Sequence, residues 1–187
     1  MPDGSLPESQ TRDFPNLEKM NSAIVNNINE VVGQDDILIH LGDWSFGGFE
    51  QIEEFYDRLI CKNIHLILGN HDHHIDRNRE NIKRLFLSVS WFEQFQYQGE
   101  TIEMMHYPIS SWNGLRKGRV HLHGHCHLPH AVKISNGRRM DVGMDGHPEF
   151  RPYDLLKECL NPLKKLKTGS ELGALDHHID LLQHMKE

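Results

Sequence analysis

The chain has 187 residues, 37% hydrophobic and 25% charged, a balance that suits one globular domain and excludes wholesale disorder. Twenty Lys and Arg against 27 Asp and Glu give a formal charge of −7, which disfavours long nucleic acid and membrane surfaces as partners. There is no apolar run near the roughly 20 residues of a membrane span, and the opening stretch lacks a basic start and an apolar segment, so a cytoplasmic setting is expected.

Residues 1–11, with Pro2 and Pro7, read as an irregular N-terminus. From Leu17 the apolar positions Met20, Ile24, Ile28 and Val31 recur at three and four, which predicts a helix ending near Gly33. The run 36–41 reads as a buried strand that ends at Gly42-Asp43. Phe49, Ile52, Phe55 and Leu59 keep helical spacing, and 64–68 reads as a second strand ending at Gly69-Asn70. Strand, helix and strand in alternation imply a parallel, right-handed unit. A third helix is expected over 79–87. Short strands follow near 91–97, 101–106, 120–123, 131–134 and 138–142, with Asn136-Gly137 as a hairpin turn between the last two. Residues 161–187, opening with Lys164, Lys165 and Lys167, read as a polar helical tail.

Three cysteines without close spacing argue against a disulfide framework and against a thiolate zinc ribbon. Histidine is the unusual residue, with 15 copies. The polar residues of interest fall just past strand ends, where open sheets bind ligands. Asp43 there can bridge cations or simply cap a turn. In Asn70-His71-Asp72 the amide oxygen is a neutral ligand, the imidazole a proton donor and the carboxylate a group that can orient it; a plain polar turn is the alternative. His106 precedes Tyr107-Pro108, fitting a strand exit, as a ligand or as a hydrogen-bonded structural residue.

The run from His121 to His127 is the sharpest feature. Gly124 lets the chain turn so that His125 and His127 converge on a metal, while His121 and His123 belong to the strand. Cys126 reads as a small packing residue, and His73 and His74 as solvated loop. The loop 107–119 holds Trp112, Arg116, Lys117 and Arg119, which either lie over the site as cations and a base-stacking ring or are ordinary solvated residues. One carboxylate, one amide oxygen and three imidazoles form a mixed N/O set suited to a divalent transition metal, Mn, Zn, Fe or Ni. Two such ions about 4 Å apart would bind a phosphoryl group and steady an in-line displacement.

Gly42-Asp43, Gly69-Asn70-His71-Asp72, His106 and Gly124-His125-Cys126-His127 resemble, in order and spacing, the calcineurin-like metallophosphoesterases, and in particular the small bacterial and phage members. The resemblance implies an α/β fold, a four-layer α/β/β/α sandwich spanning 12–160 around a binuclear centre. It also implies roles. Asp43 bridges the metals, Asn70, His106 and His125 complete one, and His127 binds the other. His71, paired with Asp72, assists the leaving group, and a metal-bound hydroxide attacks.

One motif departs. The family opens with a strand ending in Asp-x-His, and here Asp3-Gly4-Ser5 is its faint echo, without a strand before it. The expected fold therefore lacks its first strand, and holds two ions if that motif is supplied and one otherwise. The favoured reading is a truncated form of a working phosphoesterase acting on a small phosphoester or nucleotide. The alternative is a catalytically impaired scaffold or binding protein with one metal. The sequence leaves the oligomeric state open.

Overall fold

Helix α1 (Leu17–Val31) begins where Asn16 Oδ1 accepts from the Lys19 amide at 2.9 Å, and it buries Val25 and Ile28 on its apolar face. It leads into β1 (Leu38–His40). Helix α2 (Phe49–Arg58) and strand β2 (Ile64–Ile67) follow, as the periodicity predicts. These elements belong to a computed structural model that describes residues 14–82, 84–127 and 137–172. The expected strand at 131–134, Asn136 of the turn, the Asp3-Gly4-Ser5 echo and the tail beyond 172 lie outside the described residues.

The helix expected over 79–87 is broken. Only its first four residues are helical, as α4 (Arg79–Ile82); it is preceded by α3 (His73–Arg77), which includes the two histidines read as loop, and followed by strand β3 (Ser88–Ser90). The Leu87 amide donates to the Ile64 carbonyl at 2.8 Å, so pairing with β2 captures residues that would otherwise extend the helix. Strands β1, β2 and β3 form a parallel sheet in that order. Its side chains alternate. Leu38, Ile64, Leu66 and Leu68 pack under the helices with Ile52, Leu59, Ile75 and Phe86, whereas Ile39, Leu41 and Ile67 face the second sheet. Truncating Ile64, Leu66 or Ile67, each fully buried, to Ala costs about 2–5 kcal/mol.

The second sheet runs β4 (Phe92–Tyr97), β5 (Glu100–Met105), β6 (Val120–His123) and β7 (Arg139–Asp141), antiparallel at the first pairing and parallel thereafter. Ile102, Met104, Val120 and Leu122 turn inward and complete the core between the sheets. The alternate positions Glu103, His121, His123 and Arg139 are buried on the outer face. Burial holds the His121 and His123 imidazoles down at about 4, so both are neutral at pH 7. Segment 107–119, with a 3₁₀ turn at Leu115–Lys117, covers this face as the fourth layer of the sandwich. Its Ile109 amide donates to His121 Nε2 at 3.3 Å, and its Ile109 carbonyl accepts from Arg139 Nη1 at 2.7 Å.

In the first sheet β1 is an edge strand among the described residues, and beside it lies a cavity of about 1610 Å³ lined by Met20 and Ile24 of α1, Leu38–His40, Met144 and Tyr153. The far wall is braced by Glu158. Its carboxylate accepts from Arg151 Nη1 at 3.0 Å and Nη2 at 2.9 Å, and from the Asp154 amide at 2.7 Å, and it pairs with His147 Nε2 at 3.2 Å. The Arg151 guanidinium, more than any other neighbour, holds the Glu158 carboxyl at about 2. A carboxyl depressed on folding stabilises fully above its unfolded value near 4.5, and that contribution fades as pH falls toward 2. Glu158→Gln is therefore expected to lower unfolding stability in urea by about 1–2 kcal/mol at pH 7, with the difference from the parent shrinking steadily below pH 4.

A candidate metal centre at the strand ends

Four strands deliver four side chains to one rim. Asp43 follows β1, Asn70 follows β2, His106 follows β5 and His125 follows β6, each at the carboxyl end of its strand. Donor atoms of Asp43, His106 and His125 lie within 4.8 Å of one another. His106 is 2% exposed and sits at the middle. Its Nδ1 donates to the Leu41 carbonyl at 2.6 Å, which leaves Nε2 as the lone pair. That lone pair faces Asn70 Oδ1 at 3.1 Å, His125 Nδ1 at 3.2 Å and Asp43 Oδ2 at 3.5 Å. One carboxylate, one amide oxygen and two imidazole nitrogens converging in this way form a mixed N/O set that fits a divalent transition metal.

Two glycines make the approach close enough. A Cβ on Gly42 would lie 2.5 Å from the Gly69 nitrogen and 2.5 Å from His106 Nδ1. A Cβ on Gly69 would lie 2.6 Å from the Asp43 nitrogen and 2.8 Å from His106 Cε1. The bends around them are left-handed at non-glycine residues, with φ of 56° at Asp43, 67° at His125 and 50° at His127. Such conformations cost about 1–3 kcal/mol each and concentrate at functional sites.

Asp72 takes a different part from the one its sequence position suggests. It is 1% exposed, and its carboxylate accepts from the amides of Asp43, Trp44 and Gly69, each at 2.7 Å. Burial raises its carboxyl above the usual carboxylate range, and those three amides offset this only in part. It therefore ties the β1 loop to the β2 loop instead of orienting the His71 ring. The His71 amide donates to Asp43 Oδ1 at 3.0 Å, and its ring rests on the Phe46 ring with centroids 4.3 Å apart.

His127 stands outside the close group. Its Nδ1 is held by Asp145, a partner with no sequence signal beyond its place in a polar turn. Phe46, exposed beside His71, is a second residue that periodicity passes over. Of the two readings left open for the loop 107–119, solvated residues or cations and a ring over the site, neither describes Trp112 and Arg119. Trp112 is buried, with its Nε1 on the Arg119 carbonyl at 2.9 Å, and the Arg119 guanidinium pairs with the buried Glu103 at 3.4 Å. Neither is available to stack on a base or hold a phosphate. Among the described residues, no helix is long and apolar enough to cross a membrane.

The tightness at Gly69 gives a test. Gly69→Ala is expected to weaken Mn or Zn binding at least about tenfold in isothermal titration calorimetry, with a stability loss of about 1–3 kcal/mol from overpacking. Unchanged affinity would mean that the two loops do not need to meet so closely.

Comparison with known proteins bears on the fold and the family. The chain is 31% identical over 168 residues to the uncharacterized protein MJ1445 of Methanocaldococcus jannaschii, covering 86% of each. It is 27% identical over 161 residues to the Gene 66 protein of Mycobacterium phage D29, covering 73% of this chain and 81% of that one. The crystal structure of AQ665, a protein of unknown function from Aquifex aeolicus, shares the fold at a TM-score of 0.57 and 19% identity, over 71% of this chain and 79% of that one. The sequence profile of the calcineurin-like phosphoesterases matches residues 12–180, and the chain belongs to that family.

Proposed function

We propose that the chain hydrolyses a small phosphomonoester or phosphodiester, such as a nucleotide, at the centre formed by Asp43, Asn70, His106 and His125. The observation that carries this reading is the convergence of Asn70 Oδ1, His125 Nδ1 and Asp43 Oδ2 on His106 Nε2, each within 3.5 Å. A divalent ion bound there, Mn, Zn, Fe or Ni, supplies Lewis acidity toward a phosphoryl oxygen and brings the pKa of water near neutrality. Asp43 contributes the negative charge of the set, and Asn70 adds an uncharged oxygen. His127, fixed by Asp145, would join Asp43 in holding a second ion.

His71 is the proton donor in this scheme. Its ring nitrogens make no hydrogen bond among the described residues, so a proton at either can pass to a leaving oxygen. Its amide is anchored on Asp43, which keeps the ring beside the metal ligands. Phe46 is 73% exposed and flanks that ring, which supports an aryl or nucleoside group on the leaving side.

A second reading has its own support. The described residues bring together one close centre with Asp43, and His127 lies outside it. A one-metal scaffold that uses its surface for a partner would look the same at this level. Turnover separates the two.

With added Mn, the purified chain is expected to cleave an aryl phosphate, and a chelator is expected to stop it. Asp43→Ala should fall to background, and His71→Ala should lose about 10²–10⁴-fold in kcat. A rate unchanged in either variant overturns the assignment. Phe46→Ala is expected to raise KM for an aryl or nucleoside phosphate by about tenfold, in line with a stacking contact of about 1–3 kcal/mol, while KM for a small alkyl phosphate stays the same.

A further inference from the structure

The register of β6 on β7 sets His123 opposite Asp141, so their side chains stand together on one face of the sheet. Past β6 the chain bends, and the Cys126 amide donates to the Gly124 carbonyl at 2.8 Å. This brings the thiol back to the strand ends. A ring nitrogen of His123, the sulfur of Cys126 and a carboxylate oxygen of Asp141 all lie within 4.8 Å of one another.

The imidazole is poised as a ligand. His123 is 0% exposed, its Nδ1 donates to the Gly124 carbonyl at 2.9 Å, and its Nε2 is buried with no hydrogen-bond partner. A buried acceptor left unsatisfied is costly, and a cation on Nε2 would remove that cost. The carboxylate is also set in place, because Asp141 Oδ1 accepts from the Gly143 amide at 2.8 Å. Backbone contacts of this kind fix the orientation of metal ligands. Arg139, a neighbour on the same face, is engaged with the Ile109 carbonyl.

We propose that His123, Cys126 and Asp141 form a second metal site, separate from the Asp43 centre, that binds Zn(II) through one nitrogen, one sulfur and one oxygen. The sulfur favours a borderline-soft ion over Mn or Mg, and three protein ligands leave a fourth, tetrahedral position for water. On binding, the thiol releases its proton to solvent as the metal–sulfur bond forms, and the thiolate and carboxylate together neutralise the ion's charge. Cys126, which the sequence suggests is mere packing, becomes a ligand. Because it lies between His125 and His127, an ion here pins the bend that presents both imidazoles to the other centre.

Cobalt(II) gives the test, since a thiolate ligand produces a sulfur-to-cobalt charge-transfer band in the near ultraviolet that an N/O site cannot. The full-length protein, stripped of metal and titrated with Co(II), is expected to develop this band. Asp43→Asn should keep it. Cys126→Ser should lose it and hold one zinc ion fewer per chain by mass spectrometry, with an unchanged circular dichroism spectrum. His123→Gln should weaken Co(II) binding in the band titration at least about tenfold. Absence of the band in the parent protein at saturating Co(II), its survival in Cys126→Ser, or its loss in Asp43→Asn would each overturn the proposal. The first of these needs no variant to fold.

Discussion

Three backbone amides on one buried carboxylate hold the rim of this molecule together. Asp72 accepts from Asp43, Trp44 and Gly69, which lie on two loops that leave two neighbouring strands. These three hydrogen bonds join the two loops, and the burial of Trp44 against His40, Phe55 and Phe86 seats the first of them on the core. With the loops joined, Asp43 Oδ1 can receive the His71 amide, and Asn70 Oδ1 can meet His106. The second sheet then needs to supply only His106 and His125. The Gly124 amide, donating to the His106 carbonyl at 3.0 Å, keeps those two strand ends in step.

Much of this arrangement was legible in the sequence because strands in parallel sheets are short, apolar and end abruptly. Leu41-Gly42-Asp43 and Leu68-Gly69-Asn70 mark such ends clearly, and the geometry brings Asp43, Asn70, His106 and His125 together there. The departures have physical causes. Residues 79–87 carry a helical pattern, yet Leu87 pairs with Ile64, and tertiary pairing outweighs local preference. Asp72 sits next to His71 in sequence, but its carboxylate turns to amides that only the folded loops place within reach. Trp112 and Arg119 look like surface residues in a polar loop, and only the buried polar face of the second sheet explains why they turn inward.

That face explains a composition that would otherwise look wasteful. A sheet with Glu103, His121, His123 and Arg139 buried on one side cannot rest on an apolar layer. It needs the carbonyls and amides of the segment 107–119, where the Ile109 amide donates to His121 and the Ile109 carbonyl accepts from Arg139. The inner side, with Ile102, Met104, Val120 and Leu122, carries the packing energy. The division of labour lets one strand, β6, serve the core with Leu122 and the polar layer with His121 and His123.

The positive φ angles at Asp43, His125 and His127 set durability against chemistry in this protein. Glycine would be at ease in each of these bends and would make the chain more robust to heat or denaturant. It would also delete an imidazole or a carboxylate each time. A chain with glycine at all three bends would be sturdier and would lack the donor atoms that these bends present at the strand ends.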